Sequence, residues 1–531
     1  MSLSVSHATL VILVPYLVAV VFIGYVVRRN TKDSRSFLHA RHSMPASVTS
    51  IAFLAANCGA LEIIGITSAS AKYGLAALHF YWIGAVPAMV FLALFMMPIY
   101  NKSHALTVPD FLRVRYNDAT HLFSSCCLAA RMALVAGISL YAISAVLHVF
   151  LGWTFSRVSV LACSVVLCYT ALGGLRATIY TEILQLVLTI AGVLPLTYKI
   201  LHDFDGIAGI RNRLPHEMAH IWTTLTWMNP TGAKLDRTGV IVGLGAVLSF
   251  GYWCTDFLII QRALTARNLR NAIQTPLIAA VFKMCFPILL VVPGTAAAIL
   301  IVKPSGTMQF DQALPAMMSH YYGTGLLALG LCAILASLMS GLAGNISALS
   351  VVWTQDLYRA HIQRTATDKH YLLMGRVATV VACGLSMATA YIALHFNNLM
   401  DYQTLVFSLF DAPLFASFLL GMFTTRATPV GGLWGLVIGV LTATSHNFAV
   451  RTGAIHYGSD LLASFYGAIY GFTAGLAVNV LVSLFTKRKS IDALSGLTYF
   501  TRPAREKIAT SSLVLAGLVL IACIALNFIF R

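Results

Sequence analysis

Fourteen apolar stretches, each about the 20 residues a helix needs to cross a hydrocarbon core, recur along this chain. They run near 8–27, 46–71, 76–99, 121–149, 153–172, 179–199, 239–261, 272–302, 323–354, 371–394, 400–425, 428–448, 462–485 and 508–530. Inside a bilayer every backbone N–H and C=O needs a partner within the protein, so each stretch is predicted to be a helix. The expected fold class is an all-α polytopic membrane protein with about 14 transmembrane helices. Composition agrees. Of 531 residues, 58% are hydrophobic and 10% charged, where a soluble domain carries about 25% charged residues. That is too little polar material to cover a soluble surface, which argues against soluble enzymes and disordered chains. No small-residue cleavage site follows the first stretch. Arg28, Arg29, Lys32 and Arg35 follow it instead and mark a retained helix.

The net charge is +17, from 35 Lys and Arg against 18 Asp and Glu, and its placement is uneven. With the N-terminus outside, the inner loops hold twenty-two of the cations, among them Arg41, Lys102, Arg113, Arg115, Arg176, Arg262, Arg267, Arg270, Arg359, Arg364, Lys369, Arg426 and the cluster from Lys487 to Lys507. The outer segments hold nine, and Arg131, Arg157, Lys283 and Arg376 fall within apolar stretches. This positive-inside pattern predicts an integral protein of a plasma or inner membrane with both termini extracytoplasmic. The surplus charge is a topology signal, so no nucleic-acid partner is expected; the partners are the lipid bilayer and small solutes. Most of the ten cysteines, such as Cys126, Cys127, Cys163 and Cys523, sit in apolar stretches where thiols pack as small hydrophobes.

Interruptions of the apolar pattern are costly at membrane depth and point to function. Residues 52–75, AFLAANCGALEIIGITSASAKYGL, mix Asn57, Gly59, Glu62 and Gly65 with small residues. Such a segment can unwind and offer carbonyls to an ion or solute; the alternative is close helix packing through small residues. Residues 333–358 bring Ser337, Ser340, Asn345 and Ser347 within a few turns, and hydroxyl and carbonyl oxygens suit hard cations. Glu182, Asp256, Lys283 and Asp411 each interrupt a span. The alternative for them is structural ion pairing, with Lys283 opposite one of the acids. His79, His148 and His446 lie near span ends and read as interfacial packing. Lys72, beside the first interruption, is a candidate gate residue. The histidines show no metal spacing.

Four motifs in order resemble the sodium:solute symporter family, and its sodium/glucose cotransporter branch in particular. They are GGLRATIYTEILQ at 173–185, YWCTDFLIIQR at 252–262, AVFKMCFPI at 280–288 and the segment 340–358 ending in Asp-x-Tyr. The resemblance spans about residues 10–450. It implies the LeuT-type 5+5 inverted-repeat fold, in which two five-helix repeats surround a midplane site built partly from broken helices. The implied division is an N-terminal helix and loop at 1–45, repeats at 46–199 and 239–425 separated by an outer loop at 200–238, and C-terminal helices at 426–531.

The resemblance also implies a sodium site. Its positions are the carbonyls of Ala55 and Cys58 with Ser337, Ser340 and Gly341, and Glu182 as a nearby carboxylate. Gly341 stands where the family carries a hydroxyl, so one ligand is missing and sodium coupling is an open point. For the solute, the implied positions are Asn57, Glu62, Tyr81, Asp256, Lys283, Thr404 and Asp411. Of these Glu62, Tyr81, Thr404 and Asp411 depart from the branch's residue types. Tyr73, Tyr81, Trp82, Tyr252 and Phe407 are candidates to gate or stack. The expected function is therefore secondary active transport, a sodium-coupled symport of a small polar organic solute, a sugar or polyol, by alternating access. The alternative is a sodium-independent or proton-coupled transporter, facilitator or solute sensor on the same fold. No enzyme activity is expected, since no nucleophile–base or metal constellation is seen and no phosphate-binding GxxxxGK[ST] loop is present.

Overall fold

The computed structural model describes residues 7–28, 33–39, 44–103, 105–222, 234–302, 309–396, 398–501 and 508–531. Among these residues no β-strand forms; the chain is helices joined by short connections. Eleven helices are long and apolar enough to cross a membrane, and two further pairs cross as bent units. One of the eleven, Phe155–Asp203, has 49 residues and would measure about 73 Å as a straight rod. That is more than twice the thickness of a hydrocarbon core. It contains two of the sequence stretches, 153–172 and 179–199, and is interrupted between them at Gly174, where φ is 57° and ψ −151°. A side chain at Gly174 would also place its Cβ 2.4 Å from the Phe37 carbonyl oxygen. The interruption needs both the left-handed backbone and the missing side chain, which only glycine supplies. Joining of these two stretches is why the helix count falls below fourteen.

The two bent pairs carry the architecture. Ala46–Asn57 and Leu61–Leu78 meet at 60°, and Gly239–Thr255 and Phe257–Leu264 at 51°. At the first break Cys58 leaves the helical region, with ψ 59°. The bend fits because Gly59 packs face to face with Gly341 of the long helix Thr324–Val351: a Cβ on Gly59 would lie 3.0 Å from the Gly341 Cα. At the second break Asp256 is extended, and its carboxylate caps the next half-helix by accepting from Leu258 N at 2.9 Å. Five helices run from Ala46 to Asp203 and five from Gly239 to Phe423, with Gly174 dividing the fourth from the fifth, and each set opens on a bent pair.

Two cations that the sequence places in inner loops are buried instead. Arg115 donates to the carbonyls of Gly421, Thr424 and Ala427 and so caps the end of helix Leu399–Phe423. Arg262 pairs with Glu182 inside the bundle. Arg29, Lys32, Arg41, Lys303, Arg502, Arg505 and Lys507 lie outside the described residues.

Candidate solute cavity and cation cage

The first break and the half-helix Gly239–Thr255 that leads into the second face one half-open cavity. Asn57, Glu62, Tyr81, Lys283 and Thr404 line it, with Tyr252, Trp253 and Phe407 as aromatic walls. A continuous polar chain forms one side. Tyr252 Oη accepts from Asn57 Nδ2 at 2.7 Å. Asn57 Oδ1 accepts from Lys283 Nζ. Lys283 Nζ stands 2.8 Å from Glu62 Oε1, which also accepts from the Tyr81 hydroxyl. Glu62 and Tyr81 both sit on wide π-helical turns, Leu61–Gly65 and Phe80–Ala85, an arrangement frequent at functional sites. Thr404 turns its hydroxyl back onto the Met400 carbonyl of its own helix.

The chain of groups alternates donors with acceptors and holds one positive and one negative charge. A solute bearing several hydroxyls can bond Glu62 and Asn57 as acceptors and Lys283 and Tyr81 as donors, while Tyr252, Trp253 and Phe407 cover its apolar faces. Tyr252 and Phe407 are stacked with ring centres 4.7 Å apart. Lys283 pairs with Glu62, an acid from the first interruption and not one of the three span acids set opposite it in the sequence.

Asp256 and Asp411 do not line this cavity. They lie behind Tyr252 and Phe407, both in contact with Arg131. The guanidinium of Arg131 reaches Asp256 Oδ2 at 3.0 Å and Asp411 Oδ1 at 2.6 Å and lies 4.7 Å from the centre of the Phe407 ring. The sequence marks Arg131 only as a cation within an apolar stretch. Its apolar neighbours in sequence hide that its partners lie on two other helices, 125 and 280 positions away. Lys72, the candidate gate residue, pairs with Asp401 at 2.8 Å.

The oxygens of the second cluster also come together. Ser337 Oγ donates to the Cys58 carbonyl at 2.6 Å, and Ser340 Oγ approaches the Ala55 carbonyl at 3.3 Å. Gly341 abuts Gly59 beside them. The donor set is neutral oxygen throughout, at the C-terminal, electronegative end of Ala46–Asn57, so a hard monovalent cation fits it. Glu182 stands one turn further along the long helix, where a Cβ on Gly344 would be 3.2 Å from its Oε1. Both of its oxygens are held by Arg262. Among the described residues no group of three His, Cys, Asp or Glu side chains could hold a metal ion.

The chain is 28% identical over 94% of its length to sodium/glucose cotransporter 1 of Ovis aries, covering 82% of that protein. It is 27% identical over 94% of its length to sodium/myo-inositol cotransporter 2 of Oryctolagus cuniculus, covering 80% of that one. A solved structure of a Na+-coupled sialic acid symporter in a substrate-bound outward-open state superposes with a TM-score of 0.79 at 18% identity. That match covers 91% of this chain and 99% of that one, and it establishes the LeuT-type fold. The sodium:solute symporter family model matches residues 37–439, and the chain belongs to that family.

Proposed function

We propose that this protein is a secondary active transporter that couples sodium entry to the uptake of a sugar or polyol by alternating access. The observation that carries the reading is the pairing of a polyhydroxyl-type cavity with an all-oxygen cage across the same break, Asn57 to Leu61. Sodium held by the carbonyls of Ala55 and Cys58 and the hydroxyls of Ser337 and Ser340 ties the first broken helix to the long helix. That contact fixes Asn57 and Glu62 at the cavity wall. Ion binding therefore stabilises the solute-binding state, which is a coupling free energy between two sites.

The two five-helix units, 46–199 and 239–425, are the moving parts in this reading, each led by its broken helix. The loop charges support a topology with both termini outside. The cavity then opens outward, because its walls come from the halves Leu61–Leu78 and Gly239–Thr255 beyond the breaks. Arg131, Asp256, Asp411, Glu182 and Arg262 close the inner side. Relatives named for glucose and myo-inositol transport support a polyhydroxyl solute.

The test is uptake into proteoliposomes across a panel of hexoses, inositols and acidic sugars, with a sodium gradient, a proton gradient or none. Accumulation of a neutral polyhydroxyl solute only under the sodium gradient is expected. Uptake indifferent to sodium sinks the symport reading.

A further inference from the structure

Behind the solute cavity three ionisable side chains share one buried site. Arg131 is 1% exposed, Asp256 2% and Asp411 0%. One guanidinium faces two carboxylates, so with all three ionised the site holds one uncompensated negative charge. Asp256 is well satisfied: one oxygen takes the Arg131 contact and the other accepts from Leu258 N. Asp411 is not. Its Oδ1 meets Arg131, while its Oδ2 is buried with no hydrogen-bond partner, and Arg131 Nη1 is likewise without one. Burying a carboxylate in this condition is expensive unless it is neutralised.

Among the described residues no other charged side chain pairs with this cluster. On helix Asp118–Leu151 the facing group is Arg131 itself. On the second broken helix the facing groups are Asp256 and Tyr252, whose ring lies 5.6 Å from the Arg131 guanidinium. Helices Pro429–Arg451 and Asp460–Phe485 pack on the same stretch of Leu399–Phe423 through Gly439 and Gly471 against Pro413, and through Phe472 against Phe415. Of their titratable groups, His446, Tyr466 and Tyr470 are turned to one another, to Tyr457 and to Asp236, while Arg451 at one helix end covers Phe396 and Asp460 opens the other helix. A metal cation would need a shell of several oxygens and would stand against the guanidinium charge. A proton needs one lone pair, and Asp411 Oδ2 has it.

We propose that the Arg131–Asp256–Asp411 triad is a proton-binding site, with one proton held on Asp411 in this conformation. The adjoining polar cavity is lined by Arg131, Asp256, Asn57, Asn345 and Gln403, and it also reaches Gly59 and Gly341 beside the cation cage. It borders two members of the triad and sets them next to the ion. Loss of the proton leaves two carboxylates competing for one guanidinium. Arg131 shifts towards Asp411 and loosens its hold on Asp256, the residue that caps the half-helix Phe257–Leu264. Proton release thus acts on the second broken helix as sodium acts on the first.

The experiment is infrared difference spectroscopy of the purified full chain titrated from acid to alkaline pH, which reads protonation without requiring transport. Wild type is expected to show a buried carboxylic-acid C=O band that bleaches on alkalinisation. Asp411→Asn, isosteric with the protonated acid, is expected to lose that band while unfolding at the wild-type temperature at acid pH. Asp411→Glu, which keeps the carboxyl and guards against a folding failure of the first variant, is expected to retain a shifted band. A difference spectrum of Asp411→Asn that superposes on that of wild type, or loss of the same component in Asp256→Asn alone, overturns the assignment. So does its absence from wild type. Sodium-indifferent uptake in the transport assay removes the symport reading but leaves this result standing, so the two fail separately.

Discussion

Lys283 Nζ and Glu62 Oε1 lie 2.8 Å apart in side chains that are 1% and 4% exposed, joining helix Leu269–Cys285 to the turn just beyond the first break. Breaking a buried pair from one side costs about 3–5 kcal/mol because the other charge is left without its counterion. Glu62→Gln strands Lys283, removes the acceptor of the Tyr81 hydroxyl in its ionised form, and takes away the one carboxylate among the described residues lining the cavity. Solute affinity measured by calorimetry on purified protein is expected to fall at least tenfold. The double variant Glu62→Gln, Lys283→Met is expected to unfold at a higher temperature than Glu62→Gln alone. Unchanged affinity in Glu62→Gln removes Glu62 from the solute site.

The cage makes a separate prediction. Ser337→Ala deletes the hydroxyl that lies 2.6 Å from the Cys58 carbonyl while leaving the cavity wall intact. The half-saturating sodium concentration for solute uptake is expected to rise about tenfold, equivalent to about 1.4 kcal/mol. Maximal uptake at saturating sodium is expected to hold. A sodium dependence identical to wild type would mean that the cation is bound elsewhere.

Much of this was legible from residue types because depth in the membrane makes polarity conspicuous. Asn57, Glu62 and Lys283 stand out of apolar stretches, and the structure gathers them into one chain of hydrogen bonds. What stayed hidden was partnership. Arg131 looks like any cation within an apolar run until three helices are packed, and Arg262 looks like a loop cation until Glu182 is found beside it. The second division of Phe155–Asp203 was visible only as two apolar runs. Its cause is a single backbone angle at Gly174, and no periodicity reports that.

Gly341 can be tested by addition. A Cβ there would lie 3.1 Å from the Gly59 Cα and 3.2 Å from Ser139 Oγ, close enough that one neighbour must move by a few tenths of an ångström. Ser139 can turn, whereas the Gly59 backbone cannot without moving the break. Gly341→Ser is therefore expected to lose about 1–3 kcal/mol without sodium, the usual range for overpacking. The added hydroxyl completes the cage, so the upward shift of the unfolding temperature on adding sodium is expected to exceed that of wild type. An equal or smaller shift means that position 341 does not face the ion.

Asp311, in the connection between the crossings Leu269–Ile301 and Thr324–Ile362, offers a pH test outside the crossings. Both of its oxygens approach Leu399 N, at 3.4 and 3.1 Å, tying this connection to the start of helix Leu399–Phe423. Burial raises its pKa from 3.8 to about 7, and Asp401 adds to the rise, while the bonds from Ser68 and Leu399 and the charge of Lys72 oppose it. Because the folded pKa lies above the unfolded one, the native state binds the extra proton between those values. The stabilising contribution is then complete below about pH 4 and is lost as pH rises through about 7. Hydrogen exchange in residues 309–321 is expected to quicken across that window, beyond the intrinsic effect of pH. Asp311→Asn, which carries no titrating group, is expected to flatten the excess. The same excess in both proteins would place the titration on another group, with Asp401 the next to replace.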